Sequence, residues 1–494
     1  MILPADRLLE LLEREIFQLA ATDASNAEVS GLKSALVALR LLLSRERGGT
    51  AAMLAQYDGF SALLLDIRRR LPATASSAIQ ALAAIAESLV VARKETLTHL
   101  EATYRQALLD LETVLHDLRQ EPSLSARTRA DIIDIVAAWE TQDLTAQLEE
   151  KKETADSDSA VTRTSLSDYL RDRFHDAALD VTSFQALPGG FGKQTYLFEV
   201  QGRELNGAFV MRRDYPVPLV DSDCHRIHHE YDVIRAVFQR GFPAPNALWL
   251  DTEHALLPGG DFIVMTRSPG VSGGTVITAN TRVPADLDQT LATILGRLHA
   301  LEPMEELAQL NEPINNRRWN LPLEHCVREY LQGWFGILRS SPHLPSPSLT
   351  AMLGWVMDNI PTSEGHPVLL HGDIGFHNFL FDEGRLTAVL DWEFAHLGDP
   401  AEDLANVRNN LGDDLDWENF MTCYRGAGGL DVPMSRIRFF QIWGHVRNAI
   451  CAAVSAKVFI DGHADDMKFV LTPHIYIPHF IGAAQALIRE VQAA

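Results

Sequence analysis

The sequence predicts a mixed α+β protein, in which an all-α N-terminal domain is followed by a small sheet and then by a mainly helical region. Three observations lead to this prediction. Residues 1–150 have helical periodicity and almost no strand pattern. Short runs rich in β-branched and aromatic residues, bounded by Gly, Asn and Pro, then lie between about 180 and 268. Beyond Gly270 the helical pattern returns, and only short strand-like runs between residues 367 and 393 interrupt it.

The composition is typical of a soluble globular protein with two or three folded units. The chain has 494 residues, of which 46% are hydrophobic and 22% are charged, and domains of roughly 100–200 residues are the norm. No segment reaches the ~18 consecutive apolar residues that a membrane-spanning helix requires. The N-terminal stretch mixes acids and arginines with its leucines, unlike a secretion signal. We therefore expect a cytoplasmic protein that does not associate with membranes.

The charge balance and the cysteines argue against several kinds of partner. With 43 Lys and Arg against 66 Asp and Glu, the net charge of -23 repels the phosphates of nucleic acids and anionic lipids, so we expect neither as a partner. The cysteines stand singly with no C-x-x-C spacing, which argues against a zinc site or a disulfide framework. We expect all of them to stay reduced and to pack as small apolar residues: Cys224, Cys326, Cys423 and Cys451.

The all-α domain is expected to contain about five helices. Helix breaks are predicted at residues 48–49, at Pro72 and around Pro122, where Ser123 or Ser125 could cap the next helix. One helix carries a narrow apolar seam with steps of three or four residues: Leu97, Leu100, Tyr104, Leu108, Leu111, Leu115 and Leu118. The seam needs a partner helix. It fits packing inside the bundle, and it also fits a homodimer or a protein partner.

A polar and charged stretch without aromatic residues, residues 151–164, is predicted to be the linker after the helical domain. Such a segment cannot bury enough apolar surface to fold alone. We therefore place a first folded region with the sheet at residues 165–268 and a helical region with embedded strands at residues 269–494.

The strongest chemical signal is HGDIGFHN followed by VLDWE. Asn378 comes five positions after Asp373, and Asp391 comes thirteen positions after Asn378. Phosphoryl transfer needs a base oriented at the attacking hydroxyl and cations that neutralise the charge of the phosphates. Asp373 fits the base, and the other two supply the hard oxygen ligands that Mg²⁺ prefers. Strand-like residues adjoin both, so a hairpin would bring them to one edge.

These motifs resemble the aminoglycoside phosphotransferase and choline kinase superfamily, including the kinase domains attached to acyl-CoA dehydrogenases. The similarity covers roughly residues 165–485, and LLHGDIGFHNFLFDEGRLTAVLDWEFAHLGDPAEDLANV resembles that branch almost continuously. The resemblance implies a bilobal protein-kinase-like fold, with a small antiparallel sheet in the N-lobe and a helical C-lobe that carries the catalytic loop. It also implies ATP or GTP as phosphoryl donor, Mg²⁺ as metal and a small molecule with a hydroxyl group as acceptor.

The resemblance gives further residues a role around this motif. It implies that His371 packs under the catalytic loop and orients it. Asp399 and Asp403 are expected to brace the segment after the metal-binding aspartate. Met265, Thr266 and Arg267 would meet the nucleotide base through their backbone groups; the apolar residues of that run are equally what any buried strand shows.

A glycine-rich turn precedes the second half of the predicted sheet, with Gly189, Gly190 and Gly192 in PGGFGKQTY. Glycines let backbone amides approach phosphates without obstruction by a Cβ atom. Alone, this pattern is typical of any hairpin. The resemblance implies that the turn covers the nucleotide phosphates.

Arg212 in NGAFVMRRD stands where protein kinases carry a phosphate-binding lysine. A guanidinium offers a permanently charged fork to phosphate oxygens, so the chemistry survives the change. Arg213 is the competing candidate and, by strand alternation, should face the other way. Glu230, on an amphipathic helix, resembles the family's glutamate that holds the basic residue in position.

Three alternatives accompany this prediction. The chain could be a nucleotide-binding pseudokinase or scaffold whose helical domain binds a partner, although Asp373, Asn378 and Asp391 are all intact. A two-metal phosphohydrolase lacks its clustered ligands. His225, His228 and His229 have metal-like spacing, but the chemistry does not need a metal there.

The acceptor pocket is expected in the helical region, facing Asp373. Its candidate lining residues are equally typical of a packed core: Arg317, Arg318, Trp319, Trp334, Trp443, His445 and Arg447.

Overall fold

The protein is described from a computed structural model. The structure describes residues 49–145, 161–187, 192–215, 225–253, 260–272, 287–301, 321–340, 343–362, 364–411, 415–461, 469 and 472–493.

Four helices make up the described part of the N-terminal region: α1 (49–70), α2 (Ser76–Ala92), α3 (Leu97–Gln120) and α4 (Ala126–Thr145). The predicted breaks at Pro72 and Pro122 are confirmed. Ser125 caps α4, because its hydroxyl accepts a hydrogen bond from the backbone N–H of Thr128 at 3.1 Å. The predicted break at residues 48–49 falls on the edge of the described residues, and any earlier helix lies outside them.

The apolar seam of α3 packs inside the bundle. Six of its seven residues are buried, and they share one core cluster with residues of the neighbouring helices such as Tyr57 and Phe60 of α1 and Val136 of α4. The packing alternative therefore accounts for the seam, and we do not propose it as a docking surface.

The sheet region contains helix α5 (Arg163–Arg173), strands β1 (Asp180–Leu187), β2 (Lys193–Gln201) and β3 (Gly207–Asp214), helix α6 (Ile227–Gln239), and strands β4 (Ala247–Asp251) and β5 (Phe262–Thr266). Helix α5 begins within the last residues of the predicted linker, because Thr162 and Ser165 form a reciprocal capping box. The first residues of α5 therefore overlap the last residues of the predicted linker.

The five strands form one antiparallel sheet in the order β1-β2-β3-β5-β4. β2, β3 and β5 were predicted from their β-branched and aromatic runs. β1 and β4 were not predicted. Both lie at the edges of the sheet, and β1 exposes most of its side chains, so its sequence lacks a clear apolar alternation. Helix α5 packs Leu166 and Leu170 on one buried face of the sheet.

The helical region begins with the short strand β6 (Val271–Ser272). It continues with α7 (Leu287–His299), α8 (Leu323–Ser340), α9 (Pro347–Asp358), β7 (Val368–Leu370), β8 (Phe379–Asp382), β9 (Arg385–Val389), β10 (His396–Gly398), α10 (Ala401–Leu411), α11 (Trp417–Gly426), α12 (Met434–Ile460) and α13 (Ile477–Ala493). Within the described residues, this small antiparallel sheet followed by a mainly helical part with embedded strands confirms the predicted α+β class. The predicted hairpin is also present, because β8 and β9 pair antiparallel with Phe379 opposite Val389.

The chain forms two compact units. The first consists of Met1–Ser157, Leu338–Asn359 and His445–Ala494, and the second of Asp158–Ile337 and Ile360–Gly444. The first unit is therefore larger than the predicted helical domain, because it also takes in two later segments.

A buried polar cluster holds α9 in the first unit. Ser346, the N-cap of α9, donates its hydroxyl to Glu140 of α4 at 2.5 Å, and its backbone N–H contacts Glu112 of α3. Glu140 also accepts the backbone N–H of Ser348 at 2.8 Å. At the surface, Arg119 of α3 pairs with Asp358 at 2.9 Å.

No helix in the described part of the chain is both long and apolar enough to cross a lipid bilayer.

Candidate active site

The loop that contains Asp373 follows β7, and its first residues are hydrogen-bonded to α10. The backbone N–H groups of His371 and Gly372 donate to the two carboxylate oxygens of Asp403 at 2.9 and 2.8 Å. Asp403 is fully buried and also lies 3.2 Å from His299 Nε2. Burial opposes its ionisation, but the hydrogen bonds and the two histidines hold the pKa of Asp403 below its ordinary value. Asp403 was expected to brace the segment after Asp391, but these hydrogen bonds hold the loop that leads to Asp373 instead.

Gly372 is required by the shape of this loop. Its φ is +80°, in the left-handed region that favours glycine. A Cβ atom at this position would clash with the backbone oxygen of Phe394. The loop therefore packs directly on the segment that follows Asp391.

His371 connects the loop that contains Asp373 to the segment before Asp391. Its Nδ1 accepts the backbone N–H of Asp373 at 3.2 Å, so Nε2 carries the proton and donates to the carbonyl of Leu390 at 2.9 Å. Burial lowers the pKa of His371, which keeps the ring neutral and this tautomer in place. The orienting role expected for His371 agrees with these contacts.

The carboxylate of Asp373 accepts two hydrogen bonds on one oxygen. Asn378 Nδ2 donates to Oδ2 at 3.0 Å and also to the Asp373 carbonyl at 2.9 Å. His377 Nε2 lies 3.0 Å from the same Oδ2. His377 was not singled out in the sequence, because the motif specifies only the aspartate and the asparagine.

Asp391 follows β9 and lies beside Asn378. The backbone N–H of Leu390 donates to the Asn378 carbonyl at 2.7 Å, which joins the two predicted metal ligands through adjacent backbone. Asp391 has a φ of 65°, a left-handed conformation that is uncommon for a residue other than glycine. Such strain concentrates at functional sites.

Arg212 bridges the sheet and the helical lobe. It forms an ion pair with Glu230 of α6 at 2.9 Å and donates a hydrogen bond to Asp391 at 2.8 Å. Burial opposes its charge, but the carboxylates of Asp391 and Glu230 raise the pKa of Arg212 above its ordinary value. Burial raises the pKa of Glu230 to about 7, although Arg212 opposes that shift. Arg213 faces Gln194 instead, as strand alternation predicts.

A second buried cation, Lys193, lies at the start of β2. Its Nζ is 3.2 Å from Asp214 and 3.4 Å from Glu393, and it also contacts the carbonyl of His225. Lys193 and Asp214 are directly paired in the sheet register. Sequence reasoning missed this cluster, because Glu393 is 200 positions from Lys193 and only the fold brings them together.

Gly192 lies against the carboxylate of Glu393. A Cβ atom on Gly192 would come within 2.7 Å of Glu393 Oε1. Because Gly192 has no side chain, the carboxylate of Glu393 can lie against the end of the glycine-rich turn. Gly189 and Gly190 lie outside the described residues.

The residues predicted to meet the nucleotide base lie at the end of β5. The N–H of Thr266 donates to the carbonyl of Asn246 at 3.0 Å, and the N–H of Arg267 donates to that of Ala208 at 3.1 Å. Met265 is paired on both sides, with Val210 and Ala247. The two N–H groups are therefore engaged within the sheet.

Four of the seven candidate acceptor residues lie in the described part of the chain, and they divide between the two units. Trp334 and Trp443 are fully buried and contact each other edge to face, with ring centroids 6.0 Å apart. They belong to the core, as the alternative interpretation held. Arg447 is buried in the first unit. Arg317, Arg318 and Trp319 lie outside the described residues, and His445 also belongs to the first unit.

The described residues contain no group of three or more His, Cys, Asp or Glu side chains that could hold a metal ion. The predicted ligand set is smaller, with one carboxylate, Asp391, and one amide, Asn378. Mg²⁺ commonly binds one or two protein carboxylates and completes its shell with substrate phosphates and water. The ion pair with Arg212 shows that the Asp391 carboxylate can bind a cation. The residues present therefore fit Mg²⁺ bound together with a nucleotide.

A family model and several known proteins match this chain. The model of the phosphotransferase enzyme family (APH) matches residues 183–439, just over half of the chain. Acyl-CoA dehydrogenase family member 11 of Rattus norvegicus is 28% identical over 320 residues, which cover 60% of this chain and 39% of that protein. The chain thus spans about two fifths of that relative's length.

Two phosphotransferases are also similar. Viomycin phosphotransferase of Streptomyces vinaceus is 25% identical over 210 residues, which cover 38% of this chain and 64% of that protein. A macrolide 2'-phosphotransferase from Brachybacterium faecium has a solved structure that aligns with a TM-score of 0.42 and 20% identity, covering 58% of this chain and 97% of that chain.

Proposed function

This chain belongs to the phosphotransferase enzyme family, and from that premise we propose that it is a kinase that transfers the γ-phosphate of ATP or GTP to a hydroxyl group of a small molecule. The observation that carries the proposal is the convergence of Arg212, Asp373, Asn378 and Asp391 within the second unit. These residues supply a phosphate-binding cation, a base and two oxygen ligands, which is the set that phosphoryl transfer needs.

Asp373 is the proposed base. It accepts the proton of the acceptor hydroxyl while the hydroxyl oxygen forms a bond to the γ-phosphorus and the bond from that phosphorus to the nucleoside diphosphate breaks. The side chain of Asp373 is 21% exposed, so a substrate can reach it. His371 supports this role by holding the backbone N–H of Asp373.

Arg212 is the proposed phosphate-binding cation. Its guanidinium is permanently charged and has five N–H donors, so some are left for phosphate oxygens after it pairs with Glu230 and Asp391. Glu230 is almost completely buried, so its ion pair fixes the direction in which Arg212 approaches the site. This arrangement supports a positioning role for Glu230.

Asn378 and Asp391 would hold Mg²⁺ through their side-chain oxygens. The metal, when bound, would neutralise negative charge on the phosphates. Asn378 uses its amide nitrogen on Asp373, so its amide oxygen would be the atom that binds the metal. One side chain thereby serves both the base and the metal site.

The acceptor class is left to experiment. The relatives include a viomycin phosphotransferase and a protein named as an acyl-CoA dehydrogenase family member. We therefore propose a panel of antibiotic-like alcohols, amino alcohols and hydroxyacyl compounds, each offered with MgATP and MgGTP.

The test combines this panel with two matched variants. We expect nucleoside diphosphate release to depend on one class of alcohol and to be abolished by Asp373→Asn. Asp382→Asn, an exposed aspartate at the end of β8, is the control and should leave turnover unchanged. Unchanged turnover in Asp373→Asn would rule out this mechanism, and the absence of turnover with every alcohol would favour the pseudokinase alternative.

A further inference from the structure

We propose that His377 is a positioning residue that holds the carboxylate of Asp373 in the orientation needed to accept a proton. This inference rests on the proposed function, in which Asp373 is the base. It adds a residue to the site that the motif does not identify. The contacts of one imidazole ring carry it.

The first observation is the hydrogen bond itself. An ionised carboxylate only accepts hydrogen bonds, so His377 Nε2, 3.0 Å from Asp373 Oδ2, is the donor. Asn378 Nδ2 donates to the same oxygen, also at 3.0 Å. Rotation of the carboxylate about its Cβ–Cγ bond would break both hydrogen bonds, so the two donors together define its plane.

The second observation is that the loop makes room for this ring. Gly375 lies between the aspartate and the histidine, and a Cβ atom there would come within 2.7 Å of His377 Cε1 and 2.8 Å of Nδ1. Any other residue at position 375 would displace the imidazole. The absence of a side chain at Gly375 therefore has a direct effect on the contact with Asp373.

The third observation is that the backbone around the pair is clamped. Asn406 and Asn410 of α10 donate to the carbonyls of Gly372 and Ile374 at 3.1 and 2.9 Å. On the other side, the hydroxyl of Ser272 donates to the carbonyl of His377 at 3.2 Å. With both ends of the loop held, the imidazole and the Asn378 amide together determine how the carboxylate is turned.

The position of the pair fits a role in the reaction. The side chains of His377 and Asp373 are 19% and 21% exposed, so the contact lies where a substrate can arrive and is not a buried structural link. A general base works only when its oxygen lies within hydrogen-bond reach of the proton that it removes. Orientation of the carboxylate therefore contributes to the rate of transfer.

The test uses side chains that reproduce different atoms of the ring. Gln places an N–H close to the position of Nε2 and keeps the bond to Asp373, whereas Asn places its N–H nearer to Nδ1 and cannot reach. The assay follows phosphate release from MgATP with water as acceptor, so it does not depend on the identity of the alcohol. We expect His377→Asn and His377→Phe to lower kcat by about tenfold to a hundredfold, the loss typical of a hydrogen bond to a charged group. His377→Gln should stay within about threefold of the parent.

The KM for MgATP should be unchanged in all three variants, because His377 does not hold the nucleotide. An equal loss in His377→Gln, or a loss accompanied by a raised KM or a lowered melting temperature, would assign His377 a merely structural role. A kcat equal to that of the parent in all three variants would also overturn the proposal. Asp373→Asn in the same assay tests the proposed function separately from the role of His377. If Asp373→Asn has no effect on turnover, Asp373 is not the base and the proposed function is wrong.

Gly375→Ala gives an independent test. We expect it to lower kcat in the parent, because the new methyl group displaces the ring, but to add nothing in the His377→Asn background. Additive losses would contradict a route through the imidazole. Crystal structures provide a readout that does not depend on turnover: the Asp373 carboxylate should turn in His377→Asn and keep its plane in His377→Gln. An unchanged plane in both would overturn the proposal.

Discussion

Arg212 on β3 donates to the carboxylate of Asp391 after β9 at 2.8 Å, so the proposed phosphate-binding cation and a proposed metal ligand are in direct contact. The same guanidinium holds Glu230 of α6 at 2.9 Å. Without Arg212, the negative charges of these two carboxylates would have no cation to compensate them in a site that also contains Asp373. The guanidinium therefore stabilises the cluster of carboxylates. It lies where the nucleotide phosphates and their metal ion are expected to bind.

The first prediction concerns the loss of this cation. We expect Arg212→Met to lower the free energy of unfolding by about 3 kcal/mol or more, because it leaves the buried Glu230 unpaired. Glu230→Gln in the same chain should restore part of the loss, since it removes the uncompensated charge. Urea denaturation would measure both. Arg235→Met, at an exposed position of α6, is the control and should change stability by less than about 0.5 kcal/mol.

The second prediction uses two glycines with almost the same backbone conformation. Gly372 and Gly384 have φ values of +80° and +78°, but a Cβ atom on Gly372 would clash with Phe394, whereas none of the described atoms lies within 4 Å of one on Gly384. We expect Gly384→Ala to cost about 1 kcal/mol through backbone strain alone. Gly372→Ala should cost roughly 2 kcal/mol more and also reduce turnover. Equal losses of stability in denaturation experiments would show that the Phe394 contact is unimportant.

The third prediction concerns the pH dependence of the first unit. Burial raises the pKa of Glu112 to about 8, despite its hydrogen bond from Ser346, and Glu140 lies close by with its pKa also raised by burial. A folded-state pKa above the unfolded value means that the native state binds the extra proton. The contribution of Glu112 to stability is then complete below about pH 4.5 and is lost as the pH rises through about 8, by an amount on the order of 3–5 kcal/mol.

Glu112→Gln should remove most of this slope, because the amide mimics the protonated acid at every pH. Glu87→Gln, at an exposed position of α2, is the matched control and should leave the slope unchanged. Unfolding free energies of the parent and both variants from pH 5 to 9 would measure the effect. A parent stability that rises with pH across this interval would contradict the assignment to Glu112.

The fourth prediction separates the two units. All described residues proposed to handle phosphate belong to the second unit, so weakening the first should leave nucleotide binding intact. Deletion of residues 1–150 is a poor test, because it would strip Ser346 and Asp358 of their partners in α3 and α4. Leu111→Ala is gentler: Leu111 is completely buried, and its loss should cost about 2–5 kcal/mol.

A thermal-shift titration with MgATP would make the comparison. We expect the ligand-dependent stabilisation to persist in Leu111→Ala at the concentrations that stabilise the parent. Asp391→Ala, which removes a proposed metal ligand, is the contrasting variant and should abolish it. Loss of the MgATP effect in Leu111→Ala would indicate that the first unit completes the site.

The sequence was sufficient for the parts of this protein that depend on local pattern. The strands β2, β3 and β5 were readable because alternation and β-branched residues are properties of short segments, and the pairing of Arg212 with Glu230 followed from the resemblance. β1 and β4 were missed because edge strands need less apolar surface. Lys193 and Glu393 were missed because their contact depends on how the chain folds back over a long separation.

The acceptor pocket could not be predicted from the sequence, and this failure also has a physical reason. Large aromatic residues such as Trp334 and Trp443 have the same helical spacing whether they line a cavity or fill a core, and here they fill the core. The split of the chain into units was equally hidden, since α9 joins the first unit through Ser346 and Glu140, a contact between distant positions.

The left-handed backbone at Asp391 has an evolutionary consequence. A φ of 65° is tolerated best by Gly, Asn and Asp, and an aspartate codon is a single base change from codons for both Gly and Asn. Replacement by either would therefore preserve the backbone of this segment while removing the negatively charged oxygen ligand. Descendants of this gene can thus lose the proposed catalysis in one step without losing their architecture, and the identity of residue 391 is the place to look first when relatives are sorted into active and inactive lineages.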